Sequence, residues 1–334
     1  MHVGAALQPV YAADEFGGIV NAMEGWGVDQ LWLTDSSLHA KCCYSFATLA
    51  ALNTETMSIG TAVTNPVTRH PAVGAVAALT QQEISHGRFR YGIGAGDRPL
   101  LALGYKPAKL AVLEDAISAT RRLWSGEEVT WDANGFSLDH GHIRHGTPAE
   151  IPLYVSASGP KTLEMAGRIA DGIILLAGLH PEGLQYAISH IERGAEKAGR
   201  DARPSITVFG YGAIAEDEEY ALDAGRSIAA WFPQTAPEYC RLAGLPDDLA
   251  QQVKSAYGGG EFQEAKSAAR LLPDDFVRRM SLCGDKSVVR EHLKTMAELG
   301  IDCFAAFPTT DTVESRLQTV KALAETAAES PANA

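Results

Sequence analysis

Cysteine is scarce and unpatterned in this sequence of 334 residues: Cys42, Cys43, Cys240, Cys283 and Cys303 make an odd count of five with no C-x-x-C spacing. That argues against a disulfide framework or a zinc knuckle and fits a reducing compartment, so a cytoplasmic protein is expected. Positive charge is also short. Lys and Arg number 28 against 41 Asp and Glu, giving a net charge of −13. A surface of that sign repels nucleic acid and anionic bilayers, so neither is an expected partner, whereas a small anion in a local pocket is not excluded. No apolar run approaches the roughly 20 residues that span a bilayer. The opening MHVGAALQPVYAADE has no basic n-region and turns acidic early, so no secretory leader is expected. G-x-S-x-G and H-E-x-x-H are missing, which removes those hydrolase and metalloprotease templates.

What the sequence has is alternation. Short apolar runs at 3–7, 30–33, 58–62, 88–93, 152–156, 172–176, 205–210 and 303–307 are bounded by Gly, Pro or Asp. Apolar on both faces, they read as buried parallel strands. Amphipathic helices are predicted at 14–26, 45–53, 71–85, 110–125, 160–170, 181–198, 217–230 and 312–329, and Pro71, Pro160 and Pro181 stand where a first-turn proline is tolerated. Eight strand–helix units predict an α/β fold, a (β/α)₈ TIM barrel with insertions, as one domain over 1–330; an open doubly wound sheet is the alternative. Two stretches exceed the repeat. Residues 126–150 read as a hairpin-like insert, and 231–285 as a helical insert before strand eight. Long insertions in a compact domain usually serve as lids or binding loops.

In a barrel the reactive groups sit at the C-terminal strand ends and the loops that follow. Strand two, LWLTDSS, brings Asp35 and Ser36 there, with Asp35 either facing a ligand or capping a turn. After strand three come Thr64, Asn65, Thr68 and Arg69, polar groups directly above the barrel core. Strand four, RYGIGAGDRP, alternates Gly92, Gly94 and Gly96 and then places Asp97 where a dinucleotide fingerprint needs its last glycine. The glycines imply backbone passing close to something bulky. Asp97 either binds substrate or caps the loop. After strand five, Ser156, Ala157, Ser158 and Gly159 lead into a helix whose first N–H groups offer an anion site. The cluster Asp139, His140, His142 and His145 falls in the hairpin, away from the strand mouths, and reads as a polar face, so no metal site is expected. Cys42 and Cys43 read as small buried packers.

The strings GTAVTNPVTRHPAV, LTQQEISHGRFRYGIGAGD and VSASGPKTLEMAGRIADG resemble the bacterial-luciferase-like superfamily, and within it the coenzyme F420-dependent methylenetetrahydromethanopterin reductases. The likeness runs over nearly the whole chain. It implies a barrel that binds coenzyme F420, or alternatively FMN, at its mouth. It implies a non-prolyl cis peptide at Ala62–Val63 behind the ring, with Asp35, Ser36, Thr64, Asn65, Gly94, Gly96 and Asp97 around it. Ala157, Ser158 and Gly159 would meet the phosphate. Two positions depart from the resemblance: Ala6 replaces an expected acid on strand one, and Ser36 an expected histidine. Asp97, and after it Asp35, are the expected catalytic carboxylates. The activity expected is hydride transfer between reduced deazaflavin and an electrophilic carbon of a small molecule. The alternatives are an FMN-dependent monooxygenase and a non-catalytic flavin-binding barrel. A homodimer or larger homo-oligomer is expected.

Overall fold

In the computed structural model, which describes residues 1–133, 135–257 and 262–329, the apolar runs become the wall of a barrel. β1 (His2–Leu7) leads to α1 (Ala13–Gly25), β2 (Gln30–Leu33) to α2 (Cys43–Leu52) and β3 (Ser58–Thr61) to α3 (Pro71–Ile84). β4 (Phe89–Ile93) is followed by α4 (Arg98–Ala102) and α5 (Leu110–Trp124), then by the antiparallel pair β5 (Val129–Ala133) and β6 (Phe136–Gly141). β7 (Leu153–Ala157) leads to α6 (Pro160–Ile169), and β8 (Gly172–Leu175) to α7 (Pro181–Lys197). β9 (Ser205–Ile214) precedes α8 (Glu218–Thr235), α9 (Pro237–Leu242), α10 (Asp247–Ala256), α11 (Phe262–Ala269) and α12 (Asp274–Met280). β10 (Leu282–Gly284), α13 (Lys286–Glu298), β11 (Cys303–Pro308) and α14 (Val313–Ala328) finish the chain.

The sheet order is β10-β9-β11-β1-β2-β3-β4-β7-β8, and a further β8–β9 pairing closes it. β1, β2, β3, β4, β7, β8, β9 and β11 therefore form a closed parallel eight-stranded barrel inside a ring of helices, a TIM barrel. Its interior is filled, not hollow. Trp32 packs on Tyr154 at 5.0 Å and on Phe209 at 6.4 Å between ring centroids, with Ala6, Ile174 and Ala305 beside them. Gly60 makes room for this plug, since a Cβ there would lie 2.5 Å from the Trp32 ring. The plug closes the barrel from within, and the cavity at the mouth lies above it, at the C-terminal ends of the strands.

Several elements run beyond their sequence expectation. β9 continues past 210 to Ile214 because it serves three neighbours in turn: β8 at Ser205–Val208, β11 at Thr207–Gly212 and β10 at Gly212–Ile214. Gly212 is needed at that handover, where φ is +147° and a Cβ would lie 1.9 Å from the Leu282 carbonyl oxygen. α8 continues past 230 to Thr235, with Pro233 in its last turn, where a missing N–H disturbs little of the helix beyond. β10 and α13 have no counterpart in the sequence expectation. Three residues are too few for β10 to show a period.

The β3–β4 seam shapes the site. Thr61 Oγ1 donates to the Gly92 carbonyl at 2.7 Å and accepts from the Gly92 N–H at 3.0 Å. Beyond it the ladder is interrupted, Ala62–Val63 is a cis peptide, and pairing resumes where Thr64 N–H meets the same Gly92 carbonyl. β3 thus ends at Thr61, one residue before its expected limit, and the chain bulges toward the mouth. A Cβ on Gly92 would lie 1.8 Å from the Thr61 carbonyl oxygen, a backbone atom that cannot move alone. Gly92→Ala is expected to cost about 3 kcal/mol, the upper range for overpacking. Gly159→Ala, whose Cβ meets nothing within 4 Å, is expected to change stability by less than about 0.5 kcal/mol. Urea unfolding of both variants checks this; equal midpoints would refute the tight seam.

Candidate active site

The bulge opens onto a cavity of about 730 Å³ at the barrel mouth. Among the residues singled out from sequence, Asp35, Ser36, Ala62, Val63, Asn65, Gly94, Gly96, Asp97, Ala157 and Ser158 line it. Thr64 and Gly159 do not. Thr64 is fully buried and bridges to Ile93 of β4, so it supports the wall from behind. Gly159 lies exposed at the start of α6, with extended backbone. Tyr11, Thr34, His39, Trp231 and Arg316 also line the cavity and were not singled out from sequence.

Asp35 is not a turn cap. Its carboxylate is gripped by Arg69, Nε to Oδ2 at 2.5 Å and Nη2 to Oδ1 at 2.9 Å, with the Asp35 side chain only 6% exposed. The turn after the bulge delivers that guanidinium. Asn65 Oδ1 accepts from the Val67 and Thr68 N–H groups at 3.1 and 2.9 Å, folding the chain back so that Arg69 faces β2. Arg69 also lies over the Tyr44 ring at 4.7 Å, and its bond to Asp35 raises its pKa above the ordinary arginine value. Burial, with Asp35 close by, pushes the Cys43 thiol well up, so it is an inert packer. Cys42 departs from its expectation, since it is exposed at the start of α2.

Asp97 stands differently. It precedes α4 but makes no side-chain cap, and it is exposed to the cavity. The glycines before it are required by close approach. Gly96 has φ +88°, and a Cβ on Gly94 would come within 2.8 Å of Val63 Cγ2. The floor of the cavity is apolar: Ala62 and Val63 pack onto the top of the barrel plug beside Ala6 and Ile174. Above that floor the Thr34 hydroxyl is buried and has no protein partner. On the β7 side, Tyr239 of α9 donates its hydroxyl to the Ser158 carbonyl at 2.7 Å and fixes the loop before α6. No side chain caps the α6 N-terminus, so its first N–H groups are available. An apolar floor, an orphaned hydroxyl and an uncapped helix start fit a flat ring with a phosphate-bearing tail. No group of three or more metal-ligating side chains occurs among the described residues. No helix among them is long and apolar enough to cross a membrane.

Comparison with known proteins agrees with this architecture. The luciferase-like monooxygenase family matches residues 1–303. The 5,10-methylenetetrahydromethanopterin reductase of Methanolobus tindarius is 29% identical over 283 residues, covering 83% of this chain and 85% of that protein. An F420-dependent glucose-6-phosphate dehydrogenase of Nakamurella multipartita is 30% identical, covering 81% of this chain and 83% of that protein. The solved coenzyme F420-dependent tetrahydromethanopterin reductase of Methanopyrus kandleri superimposes with a TM-score of 0.82 at 23% identity, covering 97% of both chains. The chain belongs to the luciferase-like monooxygenase family. It is an enzyme of the flavin- or deazaflavin-using oxidoreductase class.

The Asp35–Arg69 pair generates a prediction. Arg69→Met leaves a buried carboxylate without its partner and is expected to cost about 3 kcal/mol at neutral pH. Denaturant unfolding at pH 7 checks this; a variant as stable as the wild type would mean the ion pair holds nothing in place.

Proposed function

We propose that the protein is a coenzyme F420-dependent oxidoreductase passing hydride between the deazaflavin and an electrophilic carbon of a small molecule. The observation that carries this reading is the apolar floor of one cavity whose β7 side is lined by Ser156, Ala157 and Ser158, the residues that lead into the uncapped start of α6. The F420-dependent relatives support it. When bound, reduced F420 supplies the hydride, as cofactors do, and the protein supplies position and electrostatics.

The residues divide the work by what holds them. The N–H groups opening α6, with Ala157, Ser158 and Gly159 in the approach, take the cofactor phosphate. Val63 and Ala62 back the ring and keep water from its buried face, with Asn65 and Gly94 at its rim. The Thr34 hydroxyl gives the ring a hydrogen-bond partner. Ser36 contributes a hydroxyl that cannot change charge near neutrality. Asp35 is committed to Arg69 and so acts on position. Asp97, exposed and uncapped, is the carboxylate that orients the substrate or handles its proton.

Asp97→Asn is expected to slow single-turnover oxidation of reduced F420 by roughly 10²-fold or more, the scale of a lost general acid or base. Ser36→Ala should cost much less, and cofactor affinity should hold in both. The assay uses imine, enone and carbonyl acceptors. An unchanged rate for Asp97→Asn with a working acceptor would make Asp97 structural. Protein purified from a host making both F420 and FMN, with mass analysis of the released ligand, tests the cofactor; bound FMN would favour a monooxygenase. A homodimer or larger assembly is part of the same reading, supported by the apolar surface of α3, where Val73 and Val76 are exposed. Light scattering showing a monomer at micromolar protein would remove it.

A further inference from the structure

The mouth has two halves. β3, β4 and β7 carry the bulge, the glycine turn and the α6 start, whereas β1 lies four strands round the barrel from β7, with β11 beside it. On that second side stand two cavity-lining residues that the proposed cofactor contacts leave unused, Tyr11 and Arg316.

Both are held in place. Tyr11 follows β1, is 2% exposed, and packs on Phe16 with ring centroids 5.6 Å apart. Its carbonyl accepts from Lys41 Nζ at 2.6 Å. Arg316 lies in the first turn of α14, where its Nε donates to the Thr310 carbonyl at 2.7 Å. That bond anchors one edge of the guanidinium. Arg316 lies close enough to Tyr11 for its charge to act on the phenol. Burial pushes the Tyr11 hydroxyl above the ordinary tyrosine value, with Arg316 pulling the other way, so the phenol is a neutral donor.

The charges around the cavity make this pair distinctive. Asp35 is taken by Arg69, while Asp97 and Asp311 are exposed. Arg316 forms no ion pair among the described residues, and none of them that lines the cavity is a lysine. A partly buried guanidinium facing a ligand cavity without a carboxylate partner calls for an anion. Two donor groups, the guanidinium and one phenol, match the two oxygens of a planar carboxylate.

We propose that Tyr11 and Arg316 form a carboxylate subsite, so that the substrate of this oxidoreductase is a carboxylic acid. The proposal rests on the F420 reading for the chemistry performed, though not for the binding of the acid. The acid group docks on the β11–β1 side, opposite the helix start that takes the cofactor phosphate. The two anions are thereby kept apart, and the reacting carbon is directed toward the middle of the cleft, over the apolar floor.

The test compares small 2-oxo acids and 2-enoic acids with their primary amides. Binding is read by quenching of cofactor fluorescence in protein loaded with oxidised F420, and by thermal shift in protein without cofactor. Acids should bind the wild type more tightly than their amides. Arg316→Gln should weaken the acids by about tenfold or more, the scale of a lost charge-assisted hydrogen bond, and leave the amides unchanged. Arg316→Lys should restore part of the preference. Tyr11→Phe should weaken the acids several-fold, with F420 affinity unaltered in every variant. Acids and amides binding alike to the wild type would overturn the subsite, as would equal losses for both in Arg316→Gln. A wild type that shifts with acids but never binds F420 would overturn the cofactor reading and uphold the subsite.

Discussion

The approach of β3 to β4 at Thr61 and Gly92 is the constraint from which the site follows. The strands are so close that the Thr61 hydroxyl bonds to both backbone groups of Gly92, and no side chain fits at position 92. Past that point the chain is displaced toward the mouth and presents Val63 over the barrel plug. The same displacement sets the origin of the Asn65 turn, and the turn sets where Arg69 can reach. A contact between two strands thus fixes an ion pair on a third, β2. None of these residues is an independent choice: the glycine, the asparagine and the arginine are steps of one path along the backbone.

Much of the barrel was legible because its strands are buried on both faces. Runs such as LWL and GIIL show no polar alternation to disguise them, and helix starts at Pro71, Pro160 and Pro181 are marked by a residue that suits the first turn of a helix. β10 was hidden because three residues carry no period. α13 shows apolar Val289, Leu293 and Met296 at helical spacing, but it follows directly on the stretch assigned to an insertion and was given no strand to pair with. The site was legible in part. Glycine alternation exposed the β4 turn, and polar residues above an apolar strand exposed the β3 loop. Spacing could not join Asp35 to Arg69 across 34 residues, nor Tyr11 to Arg316 from opposite ends of the chain. Arg69 reaches Asp35 because β2 and β3 are neighbours, and Tyr11 meets Arg316 because barrel closure brings the last strand against the first; neither pairing leaves a mark on local sequence.

Charge is distributed unevenly in a useful way. The chain carries −13 overall, yet of the carboxylates at the mouth Asp35 is locked by an arginine, and Arg316 stands there without a carboxylate partner while Asp97 and Asp311 are exposed. Positions 6 and 36, alanine and serine, add no ionisable group to that balance. The Asp35–Arg69 pair and the N–H groups opening α6 contribute fixed charge and an oriented dipole to the field at the mouth.

The triple pairing of β9 bears on how this protein can diversify. A cap joined to a barrel by two flexible ends can be exchanged between relatives as a cassette. Here the chain leaves β9 at Ile214, runs through five helices, and returns in β10 to pair with the last residues of that same strand. Removing the segment would strip β9 of a partner and expose the tail of a barrel strand. Gly212, shaped to admit the Leu282 backbone, would face an empty edge. New substrate preferences in this lineage are thus expected to arise by substitution inside the segment, residue by residue, while its two ends stay stitched to the barrel.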